Sequence, residues 1–151
     1  MPDVMPSTPV ALAAGDALPA WTTRPLTRTD FVRYAGAGGD LNPIHHDEPL
    51  ARSAGLPSVF GMGMLHAGML GVRLARCVGP ESIRTFAVRF TGQVWPGEEL
   101  TFTGSVVEVE DDVATIDLAV TRQSGEVVLR ATARAVVAPS PQRAPSPSRQ
   151  G

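Results

Sequence analysis

Asp40 and His45 sit on one short stretch, Asp40-Leu41-Asn42-Pro43-Ile44-His45-His46-Asp47, and their types and spacing are the feature of this chain most able to do chemistry. A carboxyl and an imidazole held on one loop can serve as acid and base at two ends of one reacting group, each worth about 100- to 10,000-fold in rate. The Pro43 ring crowds Asn42 out of the helical region and Pro43 donates no amide hydrogen, so Asp40 to His45 is expected to be an extended or turned loop. Asn42 and Pro43 are read as orienting that loop. Side chains adjacent on an extended segment point apart, which leaves His46 aside, and Asp47 is a good N-cap for a following helix. Asp40, His45, His46 and Asp47 match no established zinc spacing, so no metal is assigned. Gly36, Gly38 and Gly39 follow a helix and lack a Gly-Lys-Ser/Thr partner, so they are not a phosphate loop.

The elements that must aim this loop follow from pattern. Gly15 to Leu26 reads as a first short strand, broken by Pro19 and closed by Pro25. Thr27 and Asp30 resemble a capping box for a short helix with Phe31, Val32, Tyr34 and Ala35 on its apolar side, ended by Gly36, Gly38 and Gly39. A second short helix runs from Asp47 to Gly55. The most apolar helix spans about Gly63 to Cys77 and stops at Gly79-Pro80. Met64, Leu65, Met69, Leu70, Val72 and Leu74 occupy more than one of its faces, the mark of a buried helix, and small Ala67, Gly68, Gly71 and Ala75 let a ligand or another backbone come close.

Past Pro80 the period becomes two. Strands are expected at 84–90, 100–109, 114–120 and 127–137, with turns at Trp95-Pro96-Gly97, Asp111-Asp112 and Ser124-Gly125. The class is α+β, an antiparallel sheet wrapped around one buried helix. Residues 1–12 read as a loose arm, 13–138 as the folded domain, and 139–151, rich in Pro, Ser and Arg, as a disordered tail.

Composition removes other functions. With 151 residues, 43% hydrophobic and 19% charged, the chain can bury one core without disulfides or structural metal. A formal net charge of −2 gives little support to a nucleic-acid partner. All 13 basic residues are Arg, so a lysine nucleophile or Schiff base is excluded. Cys77 stands alone, which fits a reducing compartment, and the N-terminal region lacks a secretory pattern, so a cytoplasmic location is expected. The apolar run from Phe60 to Val72 contains His66 and is too short for a membrane span.

Asp40-x-Asn42-Pro43-x-His45, then Gly63-Met64-Leu65 opening a long helix, then Val94-x-Pro96-Gly97-x-x-Leu100 between strands, resembles the MaoC-like (R)-specific enoyl-thioester hydratases and dehydratases of the hotdog fold. The single-domain length is similar to that of the catalytic subunit of bacterial (3R)-hydroxyacyl-carrier-protein dehydratases. The resemblance implies reversible hydration of trans-2-enoyl thioesters on coenzyme A or acyl carrier protein, with no cofactor and with a homodimer or a heterodimer of related subunits. Asp40 and His45 would be the acid/base pair and the Gly63 amide the donor that holds enolate charge on the thioester oxygen. Phe60, Met62 and His66 are candidates for the substrate tunnel. Arg73, Arg76, Arg84 and Arg89 are either solvated surface or contacts for a phosphopantetheine or acidic carrier. The chain departs from the family at Met62, where relatives usually have His before Gly-Met; a histidine stands at His66 instead. Two other hotdog roles remain, a subunit that completes a partner's tunnel and a thioesterase.

Overall fold

The computed structural model describes residues 4–139. Five strands, β1 (Ala17–Thr22), β2 (Ile83–Phe90), β3 (Leu100–Glu110), β4 (Val113–Arg122) and β5 (Val127–Val136), form one antiparallel sheet in the order β1-β3-β4-β5-β2. Three helices precede β2: α1 (Arg28–Gly38), α2 (Glu48–Ser53) and α3 (Gly63–Val78). Alternation along β4 and β5 buries Ile116, Leu118, Val120, Leu129, Ala131, Ala133 and Ala135, which pack with Leu65, Leu70, Leu74 and Val78 of α3 in one core. None of the described helices is long and apolar enough to cross a membrane.

The hairpin turns follow their residues. Asp111 and Asp112 both take positive φ, 48° and 59°, as a two-residue hairpin requires, and Asp tolerates that region better than most side chains. The strand order is less direct. β2 does not form a hairpin with β3; it pairs with β5, and residues 91–99 carry the chain from one side of the sheet to the other. This crossing segment is tied to the helical layer: the Gly61 amide donates to the Val94 carbonyl at 2.8 Å, and the Leu26 amide to the Glu98 carbonyl at 2.9 Å.

Several expectations need amendment. The first strand covers only Ala17–Thr22, with Pro19 tolerated because β1 is an edge strand and its register shifts between Leu18 and Trp21. Gly36 and Gly38 lie inside α1, since a helix accepts glycine at modest cost; the stop comes at Gly39, in the left-handed region at φ 73°. The stretch up to His45, by contrast, is turned, one of the two forms expected of it: Pro43–His45 winds into a single 3-10 turn with Pro43 at its first position. α3 is not buried all round. Leu65, His66, Ala67, Leu70, Leu74 and Val78 face the sheet, whereas Met64 (56% exposed), Gly68 and Val72 (47%) form an outer stripe the sheet does not reach.

The arm expected to be loose over residues 1–12 is tied down in its later part. The Val10 carbonyl accepts the Ala138 amide at 2.8 Å, and Val10 and Leu12 pack on the core. The tail at 139–151 lies, apart from Pro139, outside the described residues.

The start of α1 is held as its residues suggest. Thr27 accepts the Asp30 amide, and the Asp30 carboxylate accepts the Thr27 amide at 2.8 Å while pairing with Arg24 at 2.6 Å. The Arg24 guanidinium, with the Thr27 amide and hydroxyl, holds the Asp30 carboxyl well below the usual carboxylate range. Asp30→Ala is expected to lower unfolding free energy by about 1 kcal/mol in urea titrations at neutral pH. The deficit should shrink below about pH 4, where the unfolded carboxyl protonates and the wild-type advantage fades.

Candidate active site

Three short segments build the site. The Asn42 side chain caps the 3-10 turn by accepting the Ile44 amide at 3.1 Å, and the Asp40 carboxylate accepts the Asn42 amide at 3.3 Å. Together these bonds turn the loop so that Asp40 Oδ2 lies 3.6 Å from His45 Nε2. That gap is too long for a direct hydrogen bond. Asp40 is about half-exposed, whereas His45 is 9% exposed.

The imidazole is gripped from behind. His45 Nδ1 lies 2.8 Å from the Phe60 carbonyl oxygen, and the Phe60 ring stands edge-on to the imidazole at 4.8 Å. A carbonyl only accepts, so Nδ1 carries the hydrogen, and in the neutral ring Nε2 presents its lone pair towards Asp40.

Phe60 is fixed in turn by its surroundings. Gly61 follows it, and a Cβ there would come within 2.9 Å of the Phe31 ring, so α1 presses directly on this backbone. Glu48, at the start of α2, accepts from the Ser58 hydroxyl and the Val59 amide and pairs with Arg28 at 2.7 Å. Arg28, helped by Val59 and Ser58, depresses the Glu48 carboxyl to about 2. One carboxylate thereby joins α1, α2 and the segment leading to Phe60.

Asp40, His45, Phe60, Met62, Gly63 and His66 line one cavity of about 490 Å³. Asn42 and Pro43 do not line it and act only on the loop. The cavity has a second wall that sequence reading missed, made by Phe90, Thr91, Gly92 and Gln93. Their signal in the sequence is weak, since they lie where β2 ends and the crossing begins, and only the strand order brings them to α3. Phe90 sits so close to Gly63 that a Cβ on that glycine would be 2.8 Å from the ring. A side chain at Gly63 would force the half-exposed Phe90 ring to move.

Met62 precedes α3 and supplies no side-chain cap, and there is no acidic residue in the first turn. The leading amides of a helix have no acceptor within it and carry the positive end of its dipole. They are therefore suited to hold negative charge developing on a ligand oxygen. Met62 is itself buried at 2% exposure.

His66 is the least conventional group in the site. It is 1% exposed, both ring nitrogens lack a hydrogen-bond partner among the described residues, and Phe90 stands edge-on to it at 5.9 Å. Burial pushes its pKa down to about 4. Of the four arginines considered for the substrate, Arg73 lies over the Trp21 ring of β1 at 4.6 Å, and none of the four lines the cavity. Among the described residues no three His, Cys, Asp or Glu side chains group to hold a metal ion.

An antiparallel sheet curled around one long helix is the hotdog fold, and solved structures agree. An R-hydratase, PhaJ1, from Pseudomonas aeruginosa is 26% identical with a TM-score of 0.75, the match covering 85% of this chain and 83% of that one. A structure described as a MaoC-like dehydratase is 31% identical with a TM-score of 0.80, over 89% of this chain and 44% of that one. The ChsH1–ChsH2 complex of Mycobacterium tuberculosis contains a chain of the same fold, with a TM-score of 0.74 at 23% identity over 83% and 98%.

The family model for the MaoC like domain matches residues 11–128, and the chain belongs to that family. Among curated proteins it is 30% identical to a probable enoyl-CoA hydratase 2 of Dictyostelium discoideum, over 61% of this chain and 32% of that protein. It is 35% identical to the peroxisomal enoyl-CoA hydratase 2 of Arabidopsis thaliana, over 41% and 21%. The chain thus spans no more than about a third of the length of the curated relatives it matches.

The buried imidazole has a consequence for stability. A histidine ionises near 6.5 when unfolded and near 4 here, so between those values the unfolded chain takes up a proton that the native state refuses. Stability is complete above about pH 6.5 and falls as pH drops towards 4, by up to about 1.4 kcal/mol per unit. His66→Leu is expected to flatten that part of the curve in denaturant titrations. The further loss below pH 4, which Asp30 and Glu48 govern, should be unchanged.

Proposed function

We propose that this chain is a hydro-lyase that adds water to trans-2-enoyl thioesters and, in reverse, dehydrates (3R)-hydroxyacyl thioesters carried on coenzyme A or acyl carrier protein. The observation that carries the reading is the approach of Asp40 Oδ2 to His45 Nε2, 3.6 Å, in the same cavity as the uncapped start of α3. Membership of the MaoC-like family and the hydratases among its relatives support it.

The chemistry follows from the hydrogen bonds. Both the carboxylate and the Nε2 lone pair are acceptors, so a water between them donates one hydrogen to each and turns its oxygen towards the substrate. As that oxygen bonds to C3, His45 takes a proton from it, and the electron pair of the C2–C3 double bond moves onto the thioester as an enolate. The Gly63 amide meets the enolate oxygen, an interaction whose loss typically costs about 3 kcal/mol of transition-state stabilisation. The imidazolium, steadied by Asp40, then returns a proton to C2 on the same face. Atoms and charge balance, and the sequence calls for no cofactor.

The functional unit in this reading pairs two hotdog domains, as a homodimer or with a related subunit. β2 is an edge strand of the sheet, and Phe90 at its end, which lines the cavity, is 46% exposed. A second domain beside that edge would enclose the open side of the site.

Asp40→Asn and His45→Ala should each reduce hydration of crotonyl-coenzyme A by about 100-fold or more, with unfolding transitions close to wild type. The readout is loss of enoyl-thioester absorbance, with thiol release followed in parallel. Substantial hydration by both variants would reject the pair, and release of free thiol in place of hydration would point to a thioesterase.

A further inference from the structure

We propose that His66 is a specificity-determining residue that hydrogen-bonds a neutral oxygen, keto or hydroxyl, on the acyl part of the substrate. The inference deepens the reading of the cavity as an acyl-thioester site and rests on it.

Three observations converge. First, the His66 side chain is 1% exposed with neither Nδ1 nor Nε2 hydrogen-bonded among the described residues. Buried polar side chains in native proteins are nearly always paired, so an imidazole with both nitrogens idle is a group awaiting a partner. Second, His66 is one of the residues lining the cavity that Asp40, His45 and Gly63 also line. Third, it lies three positions beyond Gly63 on α3, on the same side of the helix and about 4.5 Å further along it. If the thioester oxygen lies at the Gly63 amide, the acyl chain running along α3 meets His66 roughly at C4 or C5.

The chemical class of the partner follows from the surroundings. Burial keeps the ring neutral, so it offers one donor and one acceptor, which match a hydroxyl, while the donor alone matches a ketone. Among the described lining residues no Arg or Lys is present and the only carboxylate is Asp40, so a charged distal group would find no counter-ion. Phe90 stands edge-on to the imidazole and Met62 is buried nearby, giving hydrocarbon walls on which the rest of the chain can lie. A plain alkyl chain would pack against the ring and leave both nitrogens unpaired. Sites built to hydrogen-bond a substrate oxygen discriminate strongly against analogues without it.

Saturated thioesters test this without turnover. Binding of hexanoyl-, 5-oxohexanoyl- and 5-hydroxyhexanoyl-coenzyme A would be measured by calorimetry on the full chain, its His66→Leu variant and its His66→Gln variant. The wild type should bind at least one oxygenated ligand about 10-fold or more tightly than hexanoyl-coenzyme A. His66→Leu should lose that preference and His66→Gln should retain most of it. Nitrogen resonances of the His66 ring should move with the preferred ligand and not with hexanoyl-coenzyme A.

Equal affinities in the wild type, no binding of any of the three, or a preference that survives in His66→Leu would each overturn the proposal. Should neither variant fold, the wild-type affinities and ring resonances decide alone. Crotonyl-coenzyme A hydration, measured beside these titrations, separates the two ideas. Hydration without an oxygen preference removes the role of His66 only; a preference without hydration removes the hydratase reading and keeps His66 as a ligand group.

Discussion

The hydrogen bond from His45 Nδ1 to the Phe60 carbonyl is the constraint on which the site depends. It chooses the tautomer, fixes the plane of the ring and ties the Asp40 loop to the backbone that leads into α3. Without it the imidazole would be free to turn about its χ angles and present either nitrogen to Asp40, and a pair of groups separated by 3.6 Å would have no settled proton inventory. A backbone carbonyl is well suited to the task, because it cannot itself titrate and its position is set by the fold.

That position is over-determined. Phe31 of α1 presses on Gly61, Gly61 donates to Val94 in the crossing segment, and Glu48 holds Ser58 and Val59 while pairing with Arg28. Charge-assisted bonds of this kind are among the stronger ones available, and here they converge on one short stretch of chain. The sheet contributes through its order. Because β2 lies beside β5 and not beside β3, the chain must cross over between them, and the start of that crossing, Thr91 to Gln93, becomes the far wall of the cavity.

What was legible in the sequence divides along this line between local and non-local physics. The period-two alternation identified four strands nearly to their ends, and Thr27, Asp47 and Gly79 marked helix limits, because each depends on neighbours a few residues away. Asp40, His45 and Gly63 were legible as a constellation, and they do line one cavity. The order of the strands was not, since pairing Phe90 with Leu129 depends on contacts between distant stretches that no short pattern encodes. Phe90 was consequently absent from the expected site although it touches Gly63. The outward stripe of Met64, Gly68 and Val72 was hidden for a related reason: apolar residues on two faces of a helix reveal that both are apolar, and not which of them the sheet covers.

The three helices differ in how their N-termini are satisfied, and the difference bears on function. α1 begins with a reciprocal capping box and α2 with the Asp47 carboxylate on the Leu50 amide, arrangements each worth about 1 kcal/mol. α3, the longest of them and the core of the domain, begins with a buried methionine and no cap at all. A Ser, Asp or Asn before Gly63 would strengthen the helix by accepting the Met64 or Leu65 amide with its own oxygen. The Leu65 amide instead turns back to the Met62 carbonyl at 3.0 Å, and the apolar contacts of Leu65, Leu70, Leu74 and Val78 make a side-chain cap dispensable. The uncapped end and the unpartnered imidazole of His66 one turn later are thus the same kind of feature. Both are polar groups whose satisfaction the described residues do not provide, set along one side of one helix. A ligand that is anionic at the first position and hydrogen-bonding at the second would satisfy both at once.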